Sequence, residues 1–361
     1  MIIGGELLFN QIILDCVHRL KGERTISGIY NLLTGKRSAQ TLQDARVYKL
    51  DSYFGIYKSL DREQLKHSFQ RLEEKEWLVI KGDIYSSITS KGYQYLSNHK
   101  ETLYFNGLMD HAKVAEFERR IFLLIQTFTN MLKGKRSFIP IVEDAKAQLW
   151  VKKVYQKNHN DLAGIVKSLY NEIYTLLKDR PALEAEIFTY RLTGGGVIGL
   201  TREQLKDKHN ISLSDVDVYL NHVFYYLFFQ ANQSSKTNSV LSLCAKGLKE
   251  SSLITASAKR TYAYIEKGWS IDEIVRKRRL KKSTIQDHIV EAALVVPFFP
   301  IDSFLSEHEL HKIINVANEL DTQRLKLIYE NLEGQFTYFQ LRLALAKDQI
   351  SSEEGTLYAN A

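Results

Sequence analysis

Apolar residues recur at helical spacing along most of this chain, a period that commits it to amphipathic helices packed through single stripes. A length of 361 residues is too great for one such core, so two or three domains are expected. The balance of 44% hydrophobic to 25% charged residues is that of a folded globular protein and excludes a disordered one. No apolar run approaches the roughly 20 residues that span a bilayer, and Met1-Ile-Ile-Gly-Gly-Glu6 lacks a signal-peptide layout. A cytoplasmic location with no membrane partner is therefore expected. Cys16 and Cys244 lie far apart and outside any C-x-x-C pair, so free, buried thiols without zinc are expected.

Near the N-terminus, Leu7, Leu8, Ile12, Ile13, Cys16, Val17 and Leu20 share one stripe. Ile26, Ile29, Tyr30, Leu32 and Leu33 predict a second helix ending near Gly35. Asp61 and Gln64 are spaced as a capping box ahead of a third, whose Leu65, Phe69 and Leu72 face one way. At Trp77 the period changes to short extended runs, Trp77–Lys81 and Ile84–Ile88, separated by Gly82-Asp83 as in a hairpin. Three helices followed by a hairpin are the winged-helix layout. Lys36, Arg37, Arg46, Lys49 and Lys58 could touch phosphates there, or be ordinary surface charge; Tyr53, Phe54 and Tyr57 could stack on bases but are expected in the core.

From about Asn106 to Gln230 the chain reads as helices broken at Pro140 and Pro181. Thr201 and Gln204 form another capping-box pattern, followed by a turn near Asn210 and an apolar helix from Ser214 to Phe229. Its early Ser214, Asp215 and Asp217 would repel phosphate, so this pair of helices is expected to serve structure or partner docking. Gly194-Gly-Gly196-Val-Ile-Gly199 fits a dinucleotide-binding fingerprint in letters, but its neighbours read as helices where that motif needs strands, leaving a loop between helices. Polar stretches at Asn232–Ser239 and Glu250–Ser252 read as linkers.

The sharpest motif runs from Trp269 to Ile289. Ser270 is placed to cap a helix with Ile271, Ile274 and Val275 inward, Leu280 anchors a turn, and Ser283 is expected to cap a second helix with Ile285 and Ile289 inward. That spacing packs two short helices at a steep angle, a helix-turn-helix whose second helix would expose Thr284, Gln286, Asp287 and His288. The formal net charge of +7 favours polyanionic partners, and Lys259 to Lys282 carries nine basic against three acidic residues. Arg276, Lys277, Arg278, Arg279, Lys281 and Lys282 are the expected phosphate contacts, with Thr284, Gln286 and His288 nearest the bases and Ser283 beside them in the same nucleic-acid site. The alternative is a solvated helix end whose basic residues complement the helix dipole. No phosphate loop, H-E-x-x-H or G-x-S-x-G is present, and His308 and His311 lack a third ligand, so no catalytic residue, metal or cofactor is expected.

Two stretches carry a family resemblance. Ile26–Arg37, Leu50–Ile56 with Tyr53-x-Gly55, Lys58–Glu63 and Ile88–Gly92 with Thr89-x-x-Gly92 resemble the winged helix that follows the motor in RecQ-family DNA helicases. Thr261-Tyr-x-x-Ile265 through His288-Ile289, with Phe336–Ala344 downstream, is similar to the helicase-associated helix-turn-helix domain of bacterial RecQ proteins. The motor lobes and the cysteine zinc module of that family have no counterpart here, and the hairpin turn lacks an aromatic tip. The resemblance implies a mainly α protein with a winged-helix domain over 1–103, a central helical domain over 104–245, a helix-turn-helix domain over 255–350 and a loose tail over 351–361. It further implies a non-catalytic DNA-binding accessory factor that works beside a separate RecQ-type helicase in replication, recombination or repair. A helix-turn-helix transcription regulator is the alternative.

Overall fold

The computed structural model describes residues 7–82, 84–99, 102–233, 239–248, 254–296 and 299–347. In chain order the helices are α1 (Leu8–Leu20), α2 (Ile26–Thr34), α3 (Ala39–Val47) and α4 (Arg62–Glu74). The strands β1 (Leu78–Lys81) and β2 (Tyr85–Ile88) follow, then α5 (Ser90–Asn98), α6 (Gly107–Leu132), α7 (Ala145–Asn158) and α8 (Leu162–Leu177). Next come α9 (Ala182–Tyr190), α10 (Arg202–His209), α11 (Leu213–Gln233), α12 (Val240–Ala245), α13 (Ala256–Ile265), α14 (Ile271–Arg278) and α15 (Lys282–Val295). The chain ends in α16 (Glu307–Glu319), α17 (Leu325–Asn331) and a helix over 338–347, here α18. The protein is mainly α, and the one sheet among the described residues is the antiparallel pair β1–β2.

The chain divides into two compact units that do not follow chain order. One comprises Met1–Ile13, Gly55–Leu72 and Gln94–Ser251; the other comprises Leu14–Phe54, Glu73–Tyr93 and Ser252–Ala361. The second thus joins most of the winged-helix sequence to the C-terminal helix-turn-helix.

The first unit is built on α6 and α11. Phe117, Phe122 and Phe188 meet Phe224 or Phe228 edge-on at centroid distances of 5.2 to 5.6 Å. α11 is buried on nearly every face, so of the two uses expected for Ser214–Phe229, structure and partner docking, its burial fits the structural one and leaves little of it as a docking surface. The acids at its start are held inside as well. Asp215 accepts the Phe9 N–H at 3.2 Å and bonds to Ser212, while Asp217 takes Arg202 at 2.8 Å. Deeper in the same unit, His222 Nε2 accepts the Tyr104 N–H at 3.1 Å, which leaves the ring proton on Nδ1 to donate to Glu184 at 3.0 Å. Arg180 completes the cluster with a two-pronged bond to Glu184, both arms 2.9 Å. Such a pair resists breaking more than it adds net stability, because either partner alone would be an uncompensated buried charge.

The Gly194–Gly199 stretch is a tight turn between α9 and α10, closed by reciprocal Gly194–Val197 backbone bonds of 2.9 Å. The element directly before it is the helix α9 and not a strand, in line with the reading as a loop. A Cβ on Gly194 would lie 2.3 Å from Thr129 Oγ1 on α6, so close packing explains that glycine. The capping boxes expected at Asp61/Gln64 and Thr201/Gln204 both form, and Ser306 with Glu309 makes another at the start of α16. Asn232 and Gln233, read as linker, are the last turn of α11, and Ser239 caps α12; the rest of that stretch, residues 234–238, lies outside the described residues, as does Glu250–Ser252.

In the second unit, the hairpin pairs Leu78 with Ile88 through Lys81 with Tyr85, and its turn contains Gly82 at φ 59°; Asp83 lies outside the described residues. Tyr85, at the first position of β2, is exposed and bridges Thr25. Thr89-x-x-Gly92 has a direct mechanical reason. The Thr89 hydroxyl donates to the Glu76 carbonyl at 2.6 Å and accepts the Gly92 N–H at 3.0 Å, and a Cβ at Gly92 would fall 1.9 Å from the Trp77 carbonyl oxygen. Tyr53 and Phe54, with Tyr57 in the other unit, are buried as expected of core residues. Sequence reading passed over α3 because the helix is largely polar, although Ser38 caps it and Leu42 and Ala45 supply an apolar edge.

The loop after α1 is fastened to the C-terminal helices. Lys21 meets Asp321 at 2.7 Å, Glu23 accepts the Gln323 N–H at 3.0 Å, and Arg324 donates to the Gly22 carbonyl at 2.8 Å. Cys16 and Cys244 are free and buried, and burial pushes both thiols above their ordinary range.

Candidate nucleic-acid interface

Three helices form the C-terminal motif. α13 starts at Thr255, whose hydroxyl accepts the Ala258 N–H at 3.1 Å and whose own backbone N–H is taken by the buried Glu291 of α15. α14 starts with a full capping box: the Glu273 N–H reaches Ser270 Oγ at 3.3 Å and the Ser270 N–H returns to Glu273 at 2.8 Å. Its last turn holds Arg276, Lys277 and Arg278, where positive charge complements the C-terminal end of the helix dipole. The helix then stops at Arg279, in the left-handed conformation at φ 53°. Glycine or asparagine ordinarily takes that position, since an L-residue with a long side chain loses about 1 kcal/mol there.

The turn from Arg279 to Lys281 is short, so α15 begins two residues earlier than a Ser283 cap requires. Lys281 occupies the cap position, no side chain caps the helix, and Ser283 sits within the first turn. This corrects the expected role of Ser283 and has an electrostatic consequence. The opening N–H groups of α15 have no intrahelical acceptor, and an uncapped helix start is favourable ground for an anion. Around it, Arg276, Lys277, Arg279, Lys281, Lys282 and Ser283 are all exposed. Lys282 also reaches Asp272 at 3.1 Å, an exposed pair that water and salt weaken.

Arg278 and His288 point elsewhere. Arg278 is half-buried and donates to the Ser257 carbonyl at 2.8 Å, to Ser257 Oγ at 3.0 Å and to the Thr261 hydroxyl. It ties α14 to α13, which removes it from the expected phosphate contacts. His288, expected on the outer face, is buried, with Nδ1 2.9 Å from Thr261 Oγ1 and 3.2 Å from Arg278 Nη1. An arginine can only donate, so Nδ1 is an acceptor and the ring proton lies on Nε2. Burial first, and the neighbouring Arg278 charge second, pull the imidazole pKa below its ordinary value, with Asp287 opposing. Thr284 and Gln286 are half-buried, and Asp287 is engaged by Arg342 of α18 at 2.6 Å.

The reason lies in what surrounds α15. From His288 to Leu294 every residue is buried, because α13 and α14 pack on the helix and α3 packs on it as well. Arg342 joins these elements, reaching Gln43 of α3 at 3.3 Å as well as Asp287, while Gln43 donates back to the Arg342 carbonyl at 3.4 Å. Arg37, just ahead of α3, lies near enough to Glu291 to pull its carboxyl downward against the upward effect of burial. α3 and Arg37 are not legible from the sequence as neighbours of the motif, since nothing local in the chain pairs residues some 250 positions apart, and Arg342, 55 positions beyond Asp287, is out of local reach as well. Of the ten expected site residues, the structure thus gathers six at the α14–α15 turn, leaves two half-buried beside it and turns two inward. Among the described residues, no group of three or more His, Cys, Asp or Glu could hold a metal, and no helix is long and apolar enough to cross a membrane.

The comparisons agree with this architecture. Residues 257–345 match a family described as a helix-turn-helix domain, and residues 9–109 match the RQC domain, the winged helix of RecQ proteins. The fold and these two domain matches define the class: a DNA-binding, RecQ-related accessory protein. Protein YpbB of Bacillus subtilis (strain 168) is 31% identical over 347 residues, 94% of this chain and 97% of that protein, and the chain belongs to its family. No solved structure gives a significant match.

Two outcomes are expected from this geometry. Arg279→Gly relieves the left-handed strain, so the melting temperature should hold or rise while duplex DNA affinity falls; a drop in melting temperature would mean that the arginine side chain supports the fold. His288 has a folded pKa below its unfolded value of about 6.5, so its contribution to stability is present above that pH and is lost as pH falls from there toward the folded pKa. Urea titrations at stepped pH should show that loss in the native chain and a flatter profile in His288→Asn.

Proposed function

We propose that the chain is a non-catalytic accessory factor that grips DNA through the α14–α15 turn and works beside a separate RecQ-type helicase. The observation that carries the DNA contact is the cluster of exposed Arg276, Lys277, Arg279, Lys281 and Lys282 around the uncapped start of α15. Five cations and a set of unpaired backbone donors suit phosphate oxygens, the sequence-independent part of nucleic-acid recognition. Base reading has less to work with: Gln286 and Thr284 are half-buried and His288 is buried, so the outer face of α15 offers few free polar groups beyond its first turn. That balance favours backbone binding on branched or duplex DNA over recognition of a fixed operator, and so favours the helicase-accessory reading over the transcription-regulator one. The association with a RecQ-type motor is supported by the two kinds of domain, which are similar to those that RecQ proteins carry.

Replacing Arg276, Lys277, Arg279 and Lys281 by Ala should weaken duplex binding and flatten the slope of log affinity against log salt by roughly 0.9 for each phosphate no longer neutralised. Arg278 is left in place because it braces α13. Addition of the native chain should also raise the unwinding of forked DNA by a RecQ-type helicase, and the quadruple variant should not. A folded variant with unaltered affinity and salt slope would remove the turn as the binding site; unchanged unwinding with no association at micromolar concentration would remove the helicase partner.

A further inference from the structure

A second surface lies in the other unit, on α8, outside both of the stretches that match known domains. Tyr170 and Tyr174 stand one helical turn apart, 64% and 58% exposed, with rings nearly parallel at 15° and centroids 5.9 Å apart. Two large aromatic rings held face to face in solvent are a poor use of apolar surface in a folded chain, which ordinarily turns such groups inward. Lys167, Tyr170, Tyr174 and Lys178 succeed one another at three- and four-residue intervals, with Asn171 beside Tyr170, so the five share one face, and all are exposed. The acids of this segment lie roughly 120° around the helix from the centre of that face. Two of them are already used: Asp161 caps α8 by accepting the Gly164 N–H at 3.0 Å, and Glu172 accepts the Ser239 hydroxyl and the N–H groups of Val240 and Leu241 at 2.8 to 3.0 Å. The third, Asp179, is a loose 3.9 Å from Lys178, with both groups exposed to screening solvent.

We infer that this face of α8 is a binding platform for single-stranded nucleic acid. The outer faces of the tyrosine pair offer π-surfaces on which unpaired bases stack whatever their identity, and Lys167 and Lys178, about 16 Å apart along the helix, flank the pair with phosphate-seeking charge. Charge complementarity selects the occupant: the stripe holds two cations and no acid. A duplex, whose bases are stacked internally, cannot use the rings, so the platform is suited to a strand and the α14–α15 turn to a duplex. The inference stands on α8 alone and does not depend on the role of that turn.

The test is binding of a 20-nucleotide oligo-dT and of a blunt 20-base-pair duplex to the full-length chain, read side by side. Tyr170→Ala with Tyr174→Ala should weaken oligo-dT binding about 10-fold per ring, roughly 100-fold together, and leave duplex affinity and the thermal melt unchanged. Tyr170→Phe with Tyr174→Phe should retain binding, because stacking needs the ring and not the hydroxyl. Lys167→Ala with Lys178→Ala should flatten the single-strand salt slope by about 1.4, at roughly 0.7 per phosphate neutralised. Oligo-dT carrying 5-iododeoxyuridine should crosslink at Tyr170 or Tyr174. The inference is overturned if the native chain does not bind oligo-dT, if the Ala pair binds it normally, or if the Phe and Ala pairs lose it equally. Loss confined to variants at Arg276–Lys281 would place the strand on the helix-turn-helix and likewise remove it from α8. Duplex binding in the same samples reports on the helix-turn-helix separately, so either reading can fail without the other.

Discussion

The packing of α3 on α15 is the contact on which the second unit depends. A helix-turn-helix ordinarily covers its second helix from one side and offers the other to a groove. Here the seven consecutive residues from His288 to Leu294 are all buried and together run around the circumference of α15, on which α13, α14 and α3 all pack. Full burial of an aliphatic side chain the size of Val or Ile is favourable by about 1.5 to 3 kcal/mol, so an uncovered flank would forfeit a large share of a typical domain's stability. α3 supplies that cover from the N-terminal part of the chain. Arg342 fixes the arrangement by holding Gln43 and Asp287 at once.

What α15 can do follows from the same contact. A helix covered along its C-terminal half cannot lie lengthwise in a major groove, and only its first turn and the preceding Arg279–Lys281 segment remain for a ligand. The residues left there are those that bind phosphate well: long cations, a hydroxyl and the open N–H groups of an uncapped helix start. Strain is stored at Arg279, where a cationic side chain occupies a backbone position that glycine would fill at less cost.

Local chemistry was legible in the sequence and distant pairing was not. The capping boxes at Asp61 and Thr201, the helix cap at Ser270 and the β1–β2 hairpin follow from neighbours within a few residues, and they form as the spacing predicts. The basic cluster is likewise a local property. His288 was misplaced because its helical position reads as polar and outward, whereas its partners, Thr261 on α13 and Arg278 on α14, are set by tertiary packing. Arg278 looks like its basic neighbours in sequence, yet it turns back to Ser257. Ser214–Phe229 reads as an acidic, aromatic surface, yet Asp215 and Asp217 find internal donors and the aromatics form a core. α3 escaped notice because its polar residues, Gln, Thr, Asp and Arg, outnumber its apolar ones, the composition expected of a helix that meets its partner through polar as well as apolar contacts.

The dependence of α15 on α3 can be measured by hydrogen exchange, read by mass spectrometry across the chain in a Leu42→Ala variant. Leu42 is buried on α3, and its truncation should loosen that helix without touching α13 or α14 in sequence. If α3 is the missing cover, amides of α15 from Ile289 to Leu294 should exchange faster together with those of α3, while α6 and α11 in the other unit keep their protection. Faster exchange in α3 with unchanged protection throughout α15 would contradict the account and would make the helix-turn-helix a self-sufficient domain.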